Sequence, residues 1–263
     1  MTDYRTWERR TPRQRLGRYV LILLTLVAAA ISWQLLQINY NYVGTAPEEF
    51  MDLMYRMYPP NVGYTGEILS PMIETVHIAI LGTALAILMA IPVSLIGAEN
   101  TTPNRFTFLL GKFIISASRS VNVIIWALIF VIIFGSGALA GTLAIAVRSI
   151  GFCSKLIAEA IEEIDPGQVE AVKATGANSI EAAIYGIAPQ IKPAFIGVST
   201  YRWDINVRAS TIIGFVGAGG IGVELNTSIN FFAWQQVLTI LLAILVIVVF
   251  SEVVSAYLRR KVR

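Results

Sequence analysis

The sequence predicts an all-α membrane protein with about six transmembrane helices, and three observations lead there. Of the 263 residues, 56% are apolar and only 14% are charged, where soluble domains carry about 25% charged residues. Six apolar runs approach the roughly 20 residues that a helix needs to cross a bilayer, within a mean hydropathy of +0.66. Lys and Arg are concentrated in alternate segments between those runs, the pattern that cytoplasmic loops impose.

The first run covers residues 19–36, behind Arg5, Arg9, Arg10, Arg13, Arg15 and Arg18. A basic start, an apolar stretch and the small residues Ala28 to Ala30 also describe a cleaved signal peptide. The apolar stretch continues to Leu36, which is long for a cleaved signal, so an uncleaved anchor is expected. Residues 37–74 hold a single basic residue, Arg56, among Tyr40, Tyr42, Phe50, Tyr55, Tyr58 and Tyr64. An interfacial aromatic belt and an amphipathic segment near residues 48–58 both fit this outer loop.

The second run is 75–96, opened by Glu74 and His77. Arg105, Lys112 and Arg119 follow it. The third run is 121–134, or begins earlier on the same helix. Residues 135–137 carry no basic residue, and the fourth run, 138–158, carries Arg148. Lys173 and Lys192 lie in 159–193, ahead of the fifth run at 194–213. Residues 214–236 have none, and the sixth run is 237–257. Arg259, Arg260, Lys261 and Arg263 make a basic tail. The alternation predicts an even number of spans with both termini cytoplasmic. It divides the chain into 1–73 (basic start, first helix, outer loop), 74–258 (the membrane domain) and 259–263 (the tail).

One histidine, His77, and one cysteine, Cys153, give no basis for a metal site or a thiol–imidazole pair. Gly111-Lys112 is followed by Phe113 and lacks the upstream glycine of a phosphate-binding loop. The chain is therefore expected to bind no cofactor and to hydrolyse no ATP itself. No nucleic-acid partner is expected.

The most informative polar stretch is 165–189. Asp165 suits an N-cap and Pro166 the first helical position, and Gly176 suits the left-handed residue that ends a helix. Asn178 and Glu181 then stand at capping-box spacing. Pro189 and Pro193 are expected to break or kink the second helix before the fifth span. The result is a helix–glycine–helix elbow in which Ala171 and Ala174 leave a smooth face beside Glu170. Such a knob fits a groove on another protein; an idle amphipathic loop helix fits the same signals.

Glu170-Ala171-Val172-Lys173-Ala174-Thr175-Gly176-Ala177, followed by Ile187-Ala188-Pro189, resembles the Glu-Ala-Ala motif of binding-protein-dependent ABC importer permeases. Val172 stands where that motif has alanine, and Ala188 where leucine often precedes the proline. The resemblance spans about 75–257. Glu99-Asn100, Glu159-Ala160-Ile161-Glu162, Ala174 to Asn178 and Tyr201 to Arg208 are similar to the phosphonate importer branch, which includes phosphite transporters. It implies a type I ABC importer fold in a bacterial or archaeal cytoplasmic membrane. Glu170, Ala171, Ala174, Gly176 and Pro189 would form a coupling helix on a cytoplasmic ATPase dimer that uses ATP and Mg. An extracytoplasmic substrate-binding protein and a second copy of the permease are implied as further partners. Gly176 is expected to be the position least tolerant of bulk.

Gly217-Ala218-Gly219-Gly220-Ile221-Gly222 matches G-x-G-x-x-G formally, but no strand context supports nucleotide binding there. Close backbone packing, an outer gate and a receptor contact remain open for Gly217, Gly219, Gly220 and Gly222. Arg148, Arg202 and Arg208 are candidates for the path of an anion, since charges at membrane depth face a bundle interior or cavity. Asp204 and Arg208, four apart, also suit a purely structural ion pair. A membrane-embedded enzyme would need convergent catalytic groups, and no Gly-x-Ser-x-Gly is present. A scaffold would not need the elbow.

Overall fold

The computed structural model describes residues 12–262. Arg5, Arg9, Arg10 and Arg263, part of the expected basic ends, lie outside the described residues. Among the described residues the secondary structure is helical, without strands. The chain divides into two compact units, 1–55 and 56–263.

In the first unit, α1 (Pro12–Leu35) is apolar around its circumference and long enough to cross a membrane. Trp33 packs against Tyr40, ring centroids 6.2 Å apart. Most of α2 (Asn41–Met57) follows in the same unit. Val43, Phe50 and Met54 line one side of α2 and Glu48, Glu49 and Asp52 the other, the amphipathic helix anticipated for this loop.

The second unit is a helical bundle. Its first helix, α3 (Thr65–Gly97), begins ten residues before the predicted second span, so Glu74 and His77 lie inside the helix rather than at its opening. The third expected run, 121–134, forms one helix, but that helix does not start earlier in the chain. α4 (Arg105–Ser120) and α5 (Val123–Phe134) meet at 90° across a two-residue break. Asn122 causes the break locally: its side chain caps α5 by accepting from Ile124 N at 3.1 Å. α5 alone rises about 18 Å, well short of a bilayer core.

α6 (Ala138–Glu162) is the centre of the bundle and packs against α3, α4, α5 and α9 (Ala188–Ile213). Small residues permit this. A Cβ on Gly82 would lie 2.7 Å from Ile145 Cγ2, and one on Gly151 would lie 2.5 Å from the Ile115 carbonyl oxygen of α4. Because other helices rather than lipid surround most of α6, it accommodates Arg148, Lys155 and Glu159. It is not among the helices apolar enough to qualify as a span by composition. Among the described residues three helices qualify, or up to five if each bent pair counts as one span.

After α6 come α7 (Pro166–Ala174), α8 (Ser179–Ala182) and a π-turn (Ala183–Ile187) that runs directly into α9 (Ala188–Ile213). Pro189 and Pro193 therefore do not interrupt the chain's path. Pro189 occupies the first turn of α9, where its missing N–H costs little, and the wider π-turn precedes it. The stretch 214–236, expected only to lack basic residues, contains a further helix, α10 (Ile221–Asn230), bent by 42° from the preceding one. α11 (Trp234–Val262) packs against α9 and α10.

Candidate functional site

Two groups of predicted residues come together in the second unit. The first is the elbow. Asp165 caps α7 by accepting from Gly167 N at 2.9 Å. The capping box forms as its spacing requires: Asn178 Oδ1 accepts from Glu181 N at 3.0 Å, and Glu181 Oε2 accepts from Asn178 N at 2.7 Å. Gly176 takes φ +87° and ends the first helix.

One residue that sequence spacing did not flag holds the elbow closed. Gln190, in the first turn of α9, accepts from Asp165 N at 3.0 Å and donates to Asp165 O at 3.3 Å and Gly186 O at 2.7 Å. Its amide thereby links both ends of the hairpin to the π-turn. Val169 packs into the gap left by Gly186, whose Cβ would sit 3.1 Å from Val169 Cα. Ile187 is buried with Ala98, Ile157 and Ile161, and Ile164 and Val169 pack on that cluster. Glu162 Oε1 accepts from Glu99 N at 3.0 Å and lies 3.6 Å from Lys112 Nζ, tying the base of the elbow to α4 and the end of α3.

The outward side of the elbow is different. Glu170, Ala171 and Ala174 are exposed. Ile180 and Tyr185 are 72% and 69% exposed, large apolar surface on an otherwise polar segment. Ala171, Val172, Thr175, Gly176, Glu181 and Tyr185 line a shallow, open concavity. Nothing lies within 4 Å of a Cβ built on Gly176. Within the chain itself, the constraint on Gly176 is therefore conformational and not spatial.

The second group lies midway along α3, α6 and α9. Arg202 Nε donates to Ser149 Oγ at 2.8 Å, and its guanidinium sits over the Phe152 ring, 5.1 Å from the centroid. Asn206 Nδ2 donates to Ser149 Oγ at 3.1 Å and Thr83 Oγ1 at 2.9 Å. All four hydrogen-bonded residues are buried. Arg148, one turn from Phe152 on α6, has a buried Nη1 without a hydrogen-bond partner among the described residues. Arg208 does not join them. It pairs with buried Asp204, which also accepts from Ser251 Oγ at 2.9 Å on α11. Thus the structure separates the three candidate arginines into one in a structural pair and two near each other.

The glycine segment is a packed loop. Gly217, Gly219 and Gly220 have φ of +82°, +81° and +76°. A Cβ on Gly219 would sit 2.7 Å from Glu74 Oε1, and one on Gly222 would overlap the Thr211 carbonyl oxygen. Thr75 Oγ1 accepts from Ile221 N at 2.8 Å, docking the loop on α3. Both features that glycine supplies, positive φ and close approach, are in use here.

Comparison with known proteins gives concordant results. Residues 82–263 match the family described as "Binding-protein-dependent transport system inner membrane component". The putative phosphite transport system permease protein HtxC of Stutzerimonas stutzeri is 33% identical over 251 residues, covering 95% of this chain and 89% of that one. The phosphite transport system permease protein PtxC of the same organism is 40% identical over 202 residues, covering 77% and 74%. The phosphate-import permease protein PhnE of Mycolicibacterium smegmatis is 36% identical over 95% of this chain, which spans 47% of that protein. In structure, the inward-facing MetNI methionine ABC transporter superposes with a TM-score of 0.65 at 20% identity, covering 77% of this chain and 99% of that one.

Proposed function

The chain belongs to the family of binding-protein-dependent transport system inner membrane components, and on that premise we propose that it conducts a phosphorus oxyanion inward, driven by a separate ATPase gripping its elbow. It is a permease subunit of an ABC importer. A membrane-embedded enzyme or a scaffold finds no support in that membership. Phosphonate is the leading substrate, with phosphite and phosphate in the same class; the relatives named for phosphite and phosphate transport support it.

The observation that carries the coupling role is the unbroken structural connection from the exposed elbow to membrane depth. Gln190 and the Val169–Gly186 contact lock α7 to the π-turn, and the π-turn continues as α9 without a hinge. A push on Glu170, Ala171 and Ala174 is then passed to α9 as a rigid element, with Gly176 setting the turn and Pro189 opening the helix. The basic segments support a cytoplasmic elbow and cytoplasmic termini. In this reading ATP and Mg belong to the ATPase dimer, a substrate-binding protein delivers the anion from outside, and a second copy of the permease completes the path. The glycine loop serves as close packing at the outer end.

Copurification and uptake test this together. An ATPase subunit is expected to copurify with the wild type and to be lost from Glu170→Lys, whose charge reversal sits on the exposed face. Uptake of labelled phosphonate, phosphite and phosphate in the presence of a receptor should fall in parallel. A Glu170→Lys permease that retains the ATPase and wild-type uptake would sink the coupling role.

A further inference from the structure

Three arginines lie on or against α6: Arg148 on the helix itself, Arg202 through Ser149 and Phe152, and Arg119 beside Gly151. Arg148 and Arg202 stand near the halfway points of α6 and α9. Arg119, at the end of α4, crosses α6 at Gly151, where a Cβ would meet its Cγ at 2.9 Å. Phe152, one helical turn from Arg148 on α6, carries the Arg202 guanidinium on its ring, 5.1 Å from the centroid. Among the described residues, neither Arg148 nor Arg202 forms an ion pair, in contrast to Arg208 with Asp204.

This arrangement is unfavourable as pure structure. Like charges repel, and a cation at membrane depth is stable only when paired or solvated by a cavity. Arg202 is nonetheless held in place at 7% exposure: Ser149 fixes Nε, the Phe152 ring supports the guanidinium plane, and Asn206 and Thr83 hold Ser149. That leaves its two terminal nitrogens without a hydrogen bond among the described residues, and Arg148 adds an orphaned Nη1. A planar fork with free outer N–H groups fits the edge of a tetrahedral oxyanion, which takes two parallel hydrogen bonds from each guanidinium. A carboxylate would also satisfy one fork, but free donors on both Arg148 and Arg202 favour an ion that accepts from several directions.

We infer that Arg148 and Arg202, with Arg119 at the rim, form a binding site for a tetrahedral phosphorus oxyanion within the bundle. Thr83, Ser149, Asn206 and Phe152 are its positioning residues. The inference rests on the substrate class proposed above and locates a place for that anion in the permease itself. The same chemistry is carried by a free phosphite ion and by a phospholipid headgroup.

The test uses the purified full chain in maltoside micelles free of phospholipid. Sodium phosphite, against sodium chloride at matched ionic strength, should raise the melting temperature of the wild type. Arg148→Gln and Arg202→Gln should weaken the apparent affinity by about tenfold or more, the loss of a charge-assisted hydrogen bond. Arg148→Lys should retain part of it. Arg119→Gln, at the exposed rim, should have the smallest effect. A second arm adds phosphatidylglycerol in place of the ion. A rise there that the same substitutions remove, with none from phosphite, supports the site and assigns its occupant to lipid. If Arg202→Gln fails to fold, Arg148→Gln decides, since the Arg148 side chain has no hydrogen bond to lose among the described residues. Folded glutamine variants that respond to phosphite as the wild type does, or a wild type that responds to neither ligand, would falsify the site. The substrate reading fails separately, if the receptor-supplied permease takes up another solute and no phosphorus oxyanion.

Discussion

The elbow at 165–190 and the glycine loop at 214–222 are both built around glycines with positive φ, yet they use them for opposite ends. At Gly176 the left-handed conformation is the whole requirement, and the space beside it is open. At Gly219 and Gly220 the same conformation is combined with contact: a Cβ would meet Glu74 Oε1 at 2.7 Å and Thr75 Oγ1 at 2.6 Å. The elbow is held by side-chain hydrogen bonds and presents a surface. The loop is held by close contact with Glu74 and Thr75 of α3 and with its own flanking backbone, and beyond Phe215 it presents little surface. A glycine-rich motif therefore says where the chain must turn, and only its neighbours say whether anything else fits.

Substitutions ordered by expected cost sharpen this contrast. Gly222→Ala should be the most damaging, because its Cβ would overlap the Thr211 carbonyl and crowd Gly214. A cost of about 3 kcal/mol or more is expected where backbone cannot yield. Thermal unfolding of the solubilised protein checks it, and a variant melting with the wild type breaks the claim that the loop is packing-limited.

Gln190→Ala comes next. It removes three hydrogen bonds at partly exposed backbone groups, for about 1–2 kcal/mol of local stability. The global melt should move little, while amide exchange across 165–190 should rise sharply. Unchanged exchange there would mean that Val169 and Ile187 hold the elbow without the amide clasp.

Gly176→Ala should cost least, about 1 kcal/mol for a left-handed alanine with no clash. Melting of Gly176→Ala and Gly222→Ala side by side compares conformation alone with steric overlap. Equal losses would erase the distinction between the two regions.

Much of this was legible from residue order because the interactions are local. Apolar runs located the helices. The Asp165 cap and the Asn178–Glu181 box formed at the spacing that permits them, and Asp204 met Arg208 across one helical turn. Where the expectation failed, an unseen neighbour decided. Asn122 set α5 apart from α4, and a π-turn carried the chain past Pro189.

The sequence by itself determined that the chain is a helical membrane protein with a capped, glycine-jointed elbow. It could do so because composition, periodicity and i to i+4 spacing act within a few residues. The tertiary structure alone decided that Gln190 closes the elbow. It likewise brought Arg202 to Ser149 and Asn206 to Thr83, 53 and 123 residues apart, and left Arg148 beside Arg202 while Arg208 found an acid. Those meetings depend on how helices distant in sequence pack against α6, and packing is fixed by the small residues on every facing surface at once.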